Sequence, residues 1–353
     1  MPTMDASSRT SSSELTTGRT GEPLTRRHAP VSSGLPGRVR VAALTGSTLQ
    51  DSEGDAALAR LPGLLADPDT TVWVDLADPS PAQVEAVGAT MGLHPLIVED
   101  ILEGNQRAKV ESTDGVIHLV LFALAHGGRF VASEIDLVLG LGFLLTVHDA
   151  GWDPRATHHL RSGPGAVMTH GPDHLLWAIS DDIVDGYFPF ADELGDAIDA
   201  VQDAILTRPT PEALEQLFTL KRELIEVRRA ASPTREVFSQ LTNRDLPLID
   251  PEELVYFRDV YDHVIRLTDE IDNYRELAAS TLDVYLTQIN NSLSVIMKRL
   301  TGVTVILAGI GAVAGIFGMS EANVEAGDFW LVAGGILAVA AGAAVFLRRI
   351  DWV

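Results

Sequence analysis

From Val264 to Leu300 the chain places apolar or near-apolar residues at 264, 267, 271, 274, 278, 282, 285, 289, 293, 296 and 300. The mean step equals the α-helical repeat of about 3.6 residues, so these positions form one stripe along a helix. No proline follows Pro251, and no glycine lies between Pro251 and Gly302. The helix is therefore expected to run unbroken from about Glu252 to Met319, roughly 100 Å. A stripe of this length cannot be covered by its own helix, so neighbouring copies or companion helices are needed. An oligomer is the economical answer.

Towards the end of this helix the charged positions vanish. Charged residues make up 21% of the chain, yet Leu300–Met319 and Phe329–Leu347 contain none. Each run, at 1.5 Å per residue, matches a hydrocarbon core of about 30 Å. Core helices of soluble proteins usually keep a charged side, so two membrane helices are expected, 300–319 and 329–347, after a stalk at 251–299. Lys298 and Arg299 precede the first run and Arg348 and Arg349 follow the second, while the segment 320–328 between them carries only acids. The positive-inside tendency then puts both termini, including the basic end 348–353, in the cytoplasm and the loop outside. The N-terminus lacks the apolar core of a signal peptide.

Upstream the pattern changes period. Residues 1–38 are rich in Ser, Thr, Pro, Gly and Arg and read as a disordered tail. From Val39 to about His148 the runs VRVAAL, TVWVDL, VIHLVLFAL, FVASEIDLVLG and FLLTVH have the Val, Ile and Phe enrichment of strands. DPSPAQVEAVGATMG reads as a helix with Asp78 or Ser80 as N-cap, Pro81 in the first turn and Gly92 as the stop. Asp173 to Thr242 reads as two long helices broken near Pro209 and Pro211. Residues 39–250 thus form a mixed α/β and helical domain on the cytoplasmic side.

Composition narrows the function. There is no cysteine, which excludes disulfides and thiolate metal sites. A net charge of −23 argues against nucleic acid as a partner and suits cations, although most of the carboxylates serve only to keep a soluble domain in solution. No P-loop occurs, so ATP-driven transport is not expected. His158, His159, His170 and His174 in THHLRSGPGAVMTHGPDH are the only catalytic-looking cluster. Without a carboxylate or Cys at a recognisable spacing they read as a polar surface loop, and an enzyme is not expected.

The first membrane run has two unlike sides. Ser294, Met297, Thr301, Thr304, Ala308, Gly311, Gly315 and Gly318 follow 3,4 spacing and, Met297 apart, are small or weakly polar. Val303, Ile306, Leu307, Ile310, Val313, Ile316 and Phe317 lie on the other side, which suits lipid. Small residues so spaced serve either close helix packing or a water-filled axis onto which carbonyls and hydroxyls open. The spacing alone does not choose between them. With no charge in the span, such a pore passes ions that keep their water, and Mg²⁺ sheds water reluctantly. If copies surround an axis, Glu321, Glu325 and Asp328 of the loop form a ring of carboxylates that concentrates cations at the outer mouth.

Several independent stretches, in order, resemble the CorA-type divalent-cation transporter family. YLTQINNSLSVIMKRLT, the run into AGIFGM, the second apolar segment and the end RRIDWV are similar to its C-terminal part. VWVDLADPSPAQVEAVGATMGLHPLIVEDILEGNQRAKVE is similar to its cytoplasmic domain, and YFRDVYDHVIRLTDEID to the start of its stalk helix. The likeness runs from about Val39 to Val353. It implies an α+β membrane protein of the plasma (inner) membrane, a funnel-shaped homopentamer whose first membrane helices line the pore. It also implies that cytoplasmic divalent cations bind carboxylates at subunit interfaces and hold the funnel closed. Glu99 and Asp100 in LIVEDIL, Asp181 in AISDDIVD and Asp259 in YFRDVYD match those positions. Met297 and Leu300 match the family's apolar constriction, its gate, and Ser294 a polar position where the family commonly has Asn. The signature Gly-Met-Asn at the pore entrance is Gly318, Met319 and Ser320 here, and the Met-Pro-Glu loop pattern is missing. Ser320 has a hydroxyl and no amide carbonyl, which bears on ion selectivity. The expected activity is passive Mg²⁺ transport across the lipid bilayer, with Mg²⁺ also the regulatory ion and Co²⁺ or Ni²⁺ as further cargo. One alternative is zinc transport as in the ZntB branch, which also departs from Gly-Met-Asn. Another is a membrane-anchored cation sensor that does not conduct.

Overall fold

The computed structural model describes residues 37–104, 106–126, 130–244, 246–318 and 326–349. Along the chain these form β1 (Arg38–Thr45), β2 (Thr48–Glu53), α1 (Asp55–Leu65), β3 (Thr70–Ala77), α2 (Pro81–Met91), α3 (Pro95–Glu103), β4 (Lys109–Thr113), β5 (Val116–His126), β6 (Phe130–Gly140) and β7 (Phe143–His148). After a 3-10 turn at Pro154–Ala156 come α4 (Gly165–Met168), α5 (Pro172–Asp185), α6 (Tyr187–Thr207), α7 (Pro211–Asn243), α8 (Leu254–Gly318) and α9 (Ala326–Arg349). The chain divides into two units, one of residues 1–188 and 229–268, the other of 189–228 and 269–353. The tail expected at 1–38 lies almost entirely outside the described residues.

The first unit is built on one seven-stranded sheet in the order β2-β1-β3-β7-β6-β5-β4. Among the described residues, β3 and β7 are the one parallel pair. Both are buried nearly throughout, which explains their almost continuous apolar runs: a strand covered on both faces has no polar side to show. Register sorts the side chains. Val41 faces Val74 and Val74 faces Leu145, so Val39, Val72, Leu76, Phe143 and Val147 join them on one face. That face packs with Leu61 of α1, Val84 and Val87 of α2 and Ile97 and Ile101 of α3 into one core. The opposite face carries Trp73, Asp75, Thr146 and His148 and is covered by α5. Buried polar groups there bond one another: the Trp73 indole N–H donates to Thr146 at 3.2 Å, the Thr146 hydroxyl donates to Asp75 at 2.6 Å, and His148 Nε2 lies 3.0 Å from the same carboxylate oxygen.

The second unit is helical. Leu194, Ile198 and Val201 of α6, Leu217 and Leu224 of α7 and Ile271 and Ala278 of α8 are buried. Arg228 reaches Asp272 at 2.7 Å and Thr281 reaches Gln202 at 3.2 Å. Gly195 lies close under α8: a Cβ there would sit 2.6 Å from the tip of the Tyr274 ring, so a larger residue would make the tyrosine shift.

Three expectations change. Asp173 to Thr242 holds three helices rather than two, because α5 ends at Asp185 and α6 starts at Tyr187. Pro189 supplies the reason: it has no N–H for the Asp185 carbonyl, and its ring clashes with that carbonyl in a continued helix. The break at 208–210 lies where Pro209 and Pro211 put it. The strands β2 and β4 and the helices α1 and α3 were not foreseen. Finally, α9 begins at Ala326, so residues 326–328, Asp328 among them, are helical instead of loop.

Candidate cation sites and the free face of the long helix

The capping of α3 is local chemistry. Pro95 occupies its first turn, and His94 Nδ1 accepts the Leu96 N–H at 3.2 Å. This places Glu99 on the exposed side and Asp100 half-buried beside β4. Asp100 is not free, because Lys109 Nζ lies 2.5 Å from one of its oxygens and 3.2 Å from Glu111. Burial opposes the Lys109 charge, but the hydrogen bonds to Asp100 and Glu111 outweigh it and hold the amine above its ordinary pKa.

On α5, Asp181 is 8% exposed. Its Oδ2 faces His159 Nε2 at 3.0 Å, while its Oδ1 is buried with no hydrogen bond. Burial foremost, then the Asp185 charge, pushes its carboxyl above the usual range against the pull of His159 and His263. His263 of α8 stands between carboxylates: its Nδ1 is 3.2 Å from Asp185 and 4.0 Å from Asp181 Oδ1, and its Nε2 is 3.7 Å from Asp259. The structure thus gathers two of the expected carboxylates, Asp181 and Asp259, around an imidazole. Among the described residues, no hydrogen bond or ion pair ties Glu99 or Asp100 to this group. Sequence reading missed His263 and Asp185, although Asp259 to His263 and Asp181 to Asp185 are both i,i+4 pairs that share a helix face.

The histidine segment requires a correction. Carboxylates do reach it, though from far along the chain. His159 meets Asp181, and its backbone N–H donates to Asp182 Oδ2 at 3.1 Å. His174 Nδ1 lies 2.7 Å from Glu253. His159, Trp177, His174 and Tyr256 then form a chain of ring contacts at 4.7 to 5.3 Å between centroids.

Along α8 burial stops abruptly. Phe257, Val260, Val264, Leu267, Ile271, Ala278 and Tyr285 are buried, whereas Leu293, Ile296, Met297 and Leu300 are more than half exposed. Ser294, Thr301, Thr304, Ala308, Gly311 and Gly315 are exposed too. The part of α8 that is apolar and long enough to cross a membrane has almost nothing covering it within one chain. On the other side Val305, Ile306, Gly309, Ile310 and Val313 line an apolar groove with Ile336, Val339 and Ala343 of α9, although Val305, Val313 and Val339 themselves stay exposed. The small-residue side stays open: a Cβ added at Gly311 or Gly315 would meet nothing within 4 Å. The Ser294 and Thr304 hydroxyls donate to carbonyls one turn back at 2.9 and 2.8 Å, leaving their oxygen lone pairs outward as acceptors. Met319, Ser320, Glu321 and Glu325 lie outside the described residues.

A family model described as CorA-like Mg²⁺ transporter protein matches residues 68–349. The chain is 33% identical over 261 residues to the cobalt/magnesium transport protein CorA of Thermotoga maritima, covering 72% of this chain and 74% of that one. It is 25% identical over 202 residues to the zinc transport protein ZntB of Yersinia pestis, 55% of this chain and 59% of the relative. In fold it is similar to the complete structure of the CorA magnesium transporter from Methanocaldococcus jannaschii, with a TM-score of 0.74 and 22% identity over 90% of this chain and 99% of the other.

Proposed function

The chain belongs to the family of CorA-like Mg²⁺ transporters, and from that premise we propose that it conducts divalent cations, Mg²⁺ first among them and Co²⁺ or Ni²⁺ with it, through a homopentameric pore in the plasma membrane. The observation that carries this reading is the uncovered small-residue side of α8. The groove that α8 shares with α9 is lined by other residues, so among the described residues this side has no neighbour within the chain and is free to meet other copies. Copies of α8 around an axis give the stripe beyond Leu293 its cover and leave Thr301, Thr304, Ala308, Gly311 and Gly315 facing water, with bulky residues towards α9 and lipid. Met297 and Leu300 form the apolar gate, with Ser294 beneath it. Gly318, Met319 and Ser320 form the entrance, and Glu321, Glu325 and Asp328 gather cations outside it. The stalk at 251–299 continues into the pore helix, and α9 returns the chain to the cytoplasm. An inward-negative potential of 100 mV favours influx of a divalent ion by about 4.6 kcal/mol, so no other energy source is needed.

Cytoplasmic Mg²⁺ closes the pore by binding between subunits. Glu99 and Asp100 from one subunit and Asp181 and Asp259 from another repel until a hard cation bridges them. The buried, unbonded Oδ1 of Asp181 supports a place for such a cation. Subunit counting of purified protein in lipid tests the assembly: five copies are expected, and a monomer ends the proposal.

One observation favours a second cargo. A zinc-transport relative aligns over 55% of this chain at 25% identity, and Ser320 replaces the Asn of the entrance signature. Competition of Zn²⁺ against Mg²⁺ for uptake into liposomes separates the readings, with Ser320→Asn beside wild type. Zn²⁺ uptake that Mg²⁺ does not inhibit gives the site to zinc.

A further inference from the structure

The histidines between β7 and α5 have no part in the transport reading, and their donors suit a different class of ion. His158, His159 and Asp182 each offer a ligand atom, and these atoms lie within 4.8 Å of one another. Their arrangement has the second layer that metal sites require. His159 Nε2 faces the buried Asp181 carboxylate at 3.0 Å, which holds the proton on Nε2 and turns the lone pair of Nδ1 outward as a ligand. Asp182 is fixed in turn: its Oδ2 accepts from the Thr157 hydroxyl at 2.5 Å and from the His159 backbone N–H at 3.1 Å. Its Oδ1 keeps its lone pairs for an ion. His158 stands exposed at the open side, its ring 5.2 Å from that of His159. Among the described residues, no Lys or Arg pairs with Asp182, in contrast to Lys109 on Asp100.

We propose that His158, His159 and Asp182 form a cytoplasmic binding site for a transition-metal ion of the Zn²⁺, Co²⁺ or Ni²⁺ class, distinct from the all-carboxylate sites proposed for Mg²⁺. Two imidazoles and a carboxylate are the donor set such ions prefer, with water completing the coordination, whereas Mg²⁺ prefers oxygen alone. His170 and His174 stay outside the site. His174 Nδ1 is taken by Glu253 at 2.7 Å, and that pair joins α5 to the turn before α8 instead. Because Asp181 holds His159, an ion at this site also locks one oxygen of a carboxylate assigned to Mg²⁺ sensing, so the two kinds of cation meet at a shared side chain.

The test titrates the full-length protein in detergent with Co²⁺ in the presence of a large excess of Mg²⁺, following the visible ligand-field absorption of the bound ion. One Co²⁺ per chain is expected to bind despite the Mg²⁺, with absorption characteristic of nitrogen ligands. His158→Ala and Asp182→Asn each weaken that binding by at least about tenfold, while His170→Ala leaves it unchanged. The exposed His158 bears no fold, so its variant decides the matter if Asp182→Asn proves unstable. Absence of Mg²⁺-resistant Co²⁺ binding, equal affinity in His158→Ala, or equal loss in His170→Ala overturns the assignment. The readout is binding and not flux, so failure here leaves the transport reading standing, and failure of transport leaves this site standing.

Discussion

Replacing Lys109 by Met is expected to sharpen the response to Mg²⁺. Its ammonium sits 2.5 Å from Asp100 and 3.2 Å from Glu111, with the Lys109 and Asp100 side chains only 17% and 26% exposed. A Mg²⁺ ion arriving at Asp100 must share that carboxylate with a fixed positive charge or displace it. At separations near 4 Å two unit charges interact by about 1 kcal/mol in water and about 4 kcal/mol at an effective dielectric of 20. Partial exposure takes the low end of that range, and the double charge of the ion raises it again, so about 1–2 kcal/mol of opposition is removed with the lysine. The Mg²⁺ concentration at half response should then fall by about 5- to 30-fold. Stability should fall by no more than about 1 kcal/mol, because Asp100 and Glu111 are partly exposed and such pairs contribute little. Protection of the full-length protein from limited proteolysis, titrated with MgCl₂, reads the midpoint directly. An unchanged midpoint, or one shifted to higher Mg²⁺, would refute the placement of a regulatory ion at Asp100.

Other outcomes follow from single residues. For Asp153, burial raises the carboxyl but its bonds to Arg40 and the Arg155 N–H prevail and hold it below the usual range, so this pairing contributes above the unfolded carboxylate pKa and fades as pH falls through the lowered folded value. Asp153→Asn should therefore cost about 1 kcal/mol at pH 7 after solvent screening, a difference in denaturant midpoint that shrinks in strong acid. Leu267 of α8 is fully buried, and Leu267→Ala should destabilise by about 2–5 kcal/mol in chemical unfolding. Neutralising Glu321, Glu325 and Asp328 together should lower Mg²⁺ uptake at low external Mg²⁺ and leave it unchanged at saturating Mg²⁺, the mark of a lost local concentration effect in flux assays.

How much of this was readable from sequence depends on where each element hides its side chains. The strands β1, β3, β5, β6 and β7 announce themselves because they are central and largely buried. The edge strands TLQDSE and KVEST pair on one side only and hold no buried residue, the first mostly exposed and the second half-buried or exposed, so hydrophobicity carries little trace of them. DAALARLPGLL hides α1 behind Pro62 and Gly63, although Leu61 and Ala57 pack in the core. The unbroken α8 was legible because nothing between Pro251 and Gly302 interrupts it. The sites were harder. Asp100 was singled out by likeness, but its ion-pair partner Lys109 belongs to an edge strand that sequence did not reveal. The carboxylates that serve the histidine segment come from α5 and from the turn at Glu253, 79 positions from His174, so no local spacing could disclose them. His263 was within reach, four residues after Asp259 on a helix already expected.

The central claim is that the small-residue side of α8 lines a conducting axis, and flux measures it. Full-length protein in liposomes with an imposed inside-negative potential should take up Mg²⁺. Gly311→Leu should reduce that uptake by more than about tenfold with subunit number unchanged, since a Cβ at 311 would meet nothing within 4 Å in its own chain and, if copies of α8 surround an axis, the larger side chain fills it. Full uptake through the Gly311→Leu protein, or none through the wild type, would contradict the account.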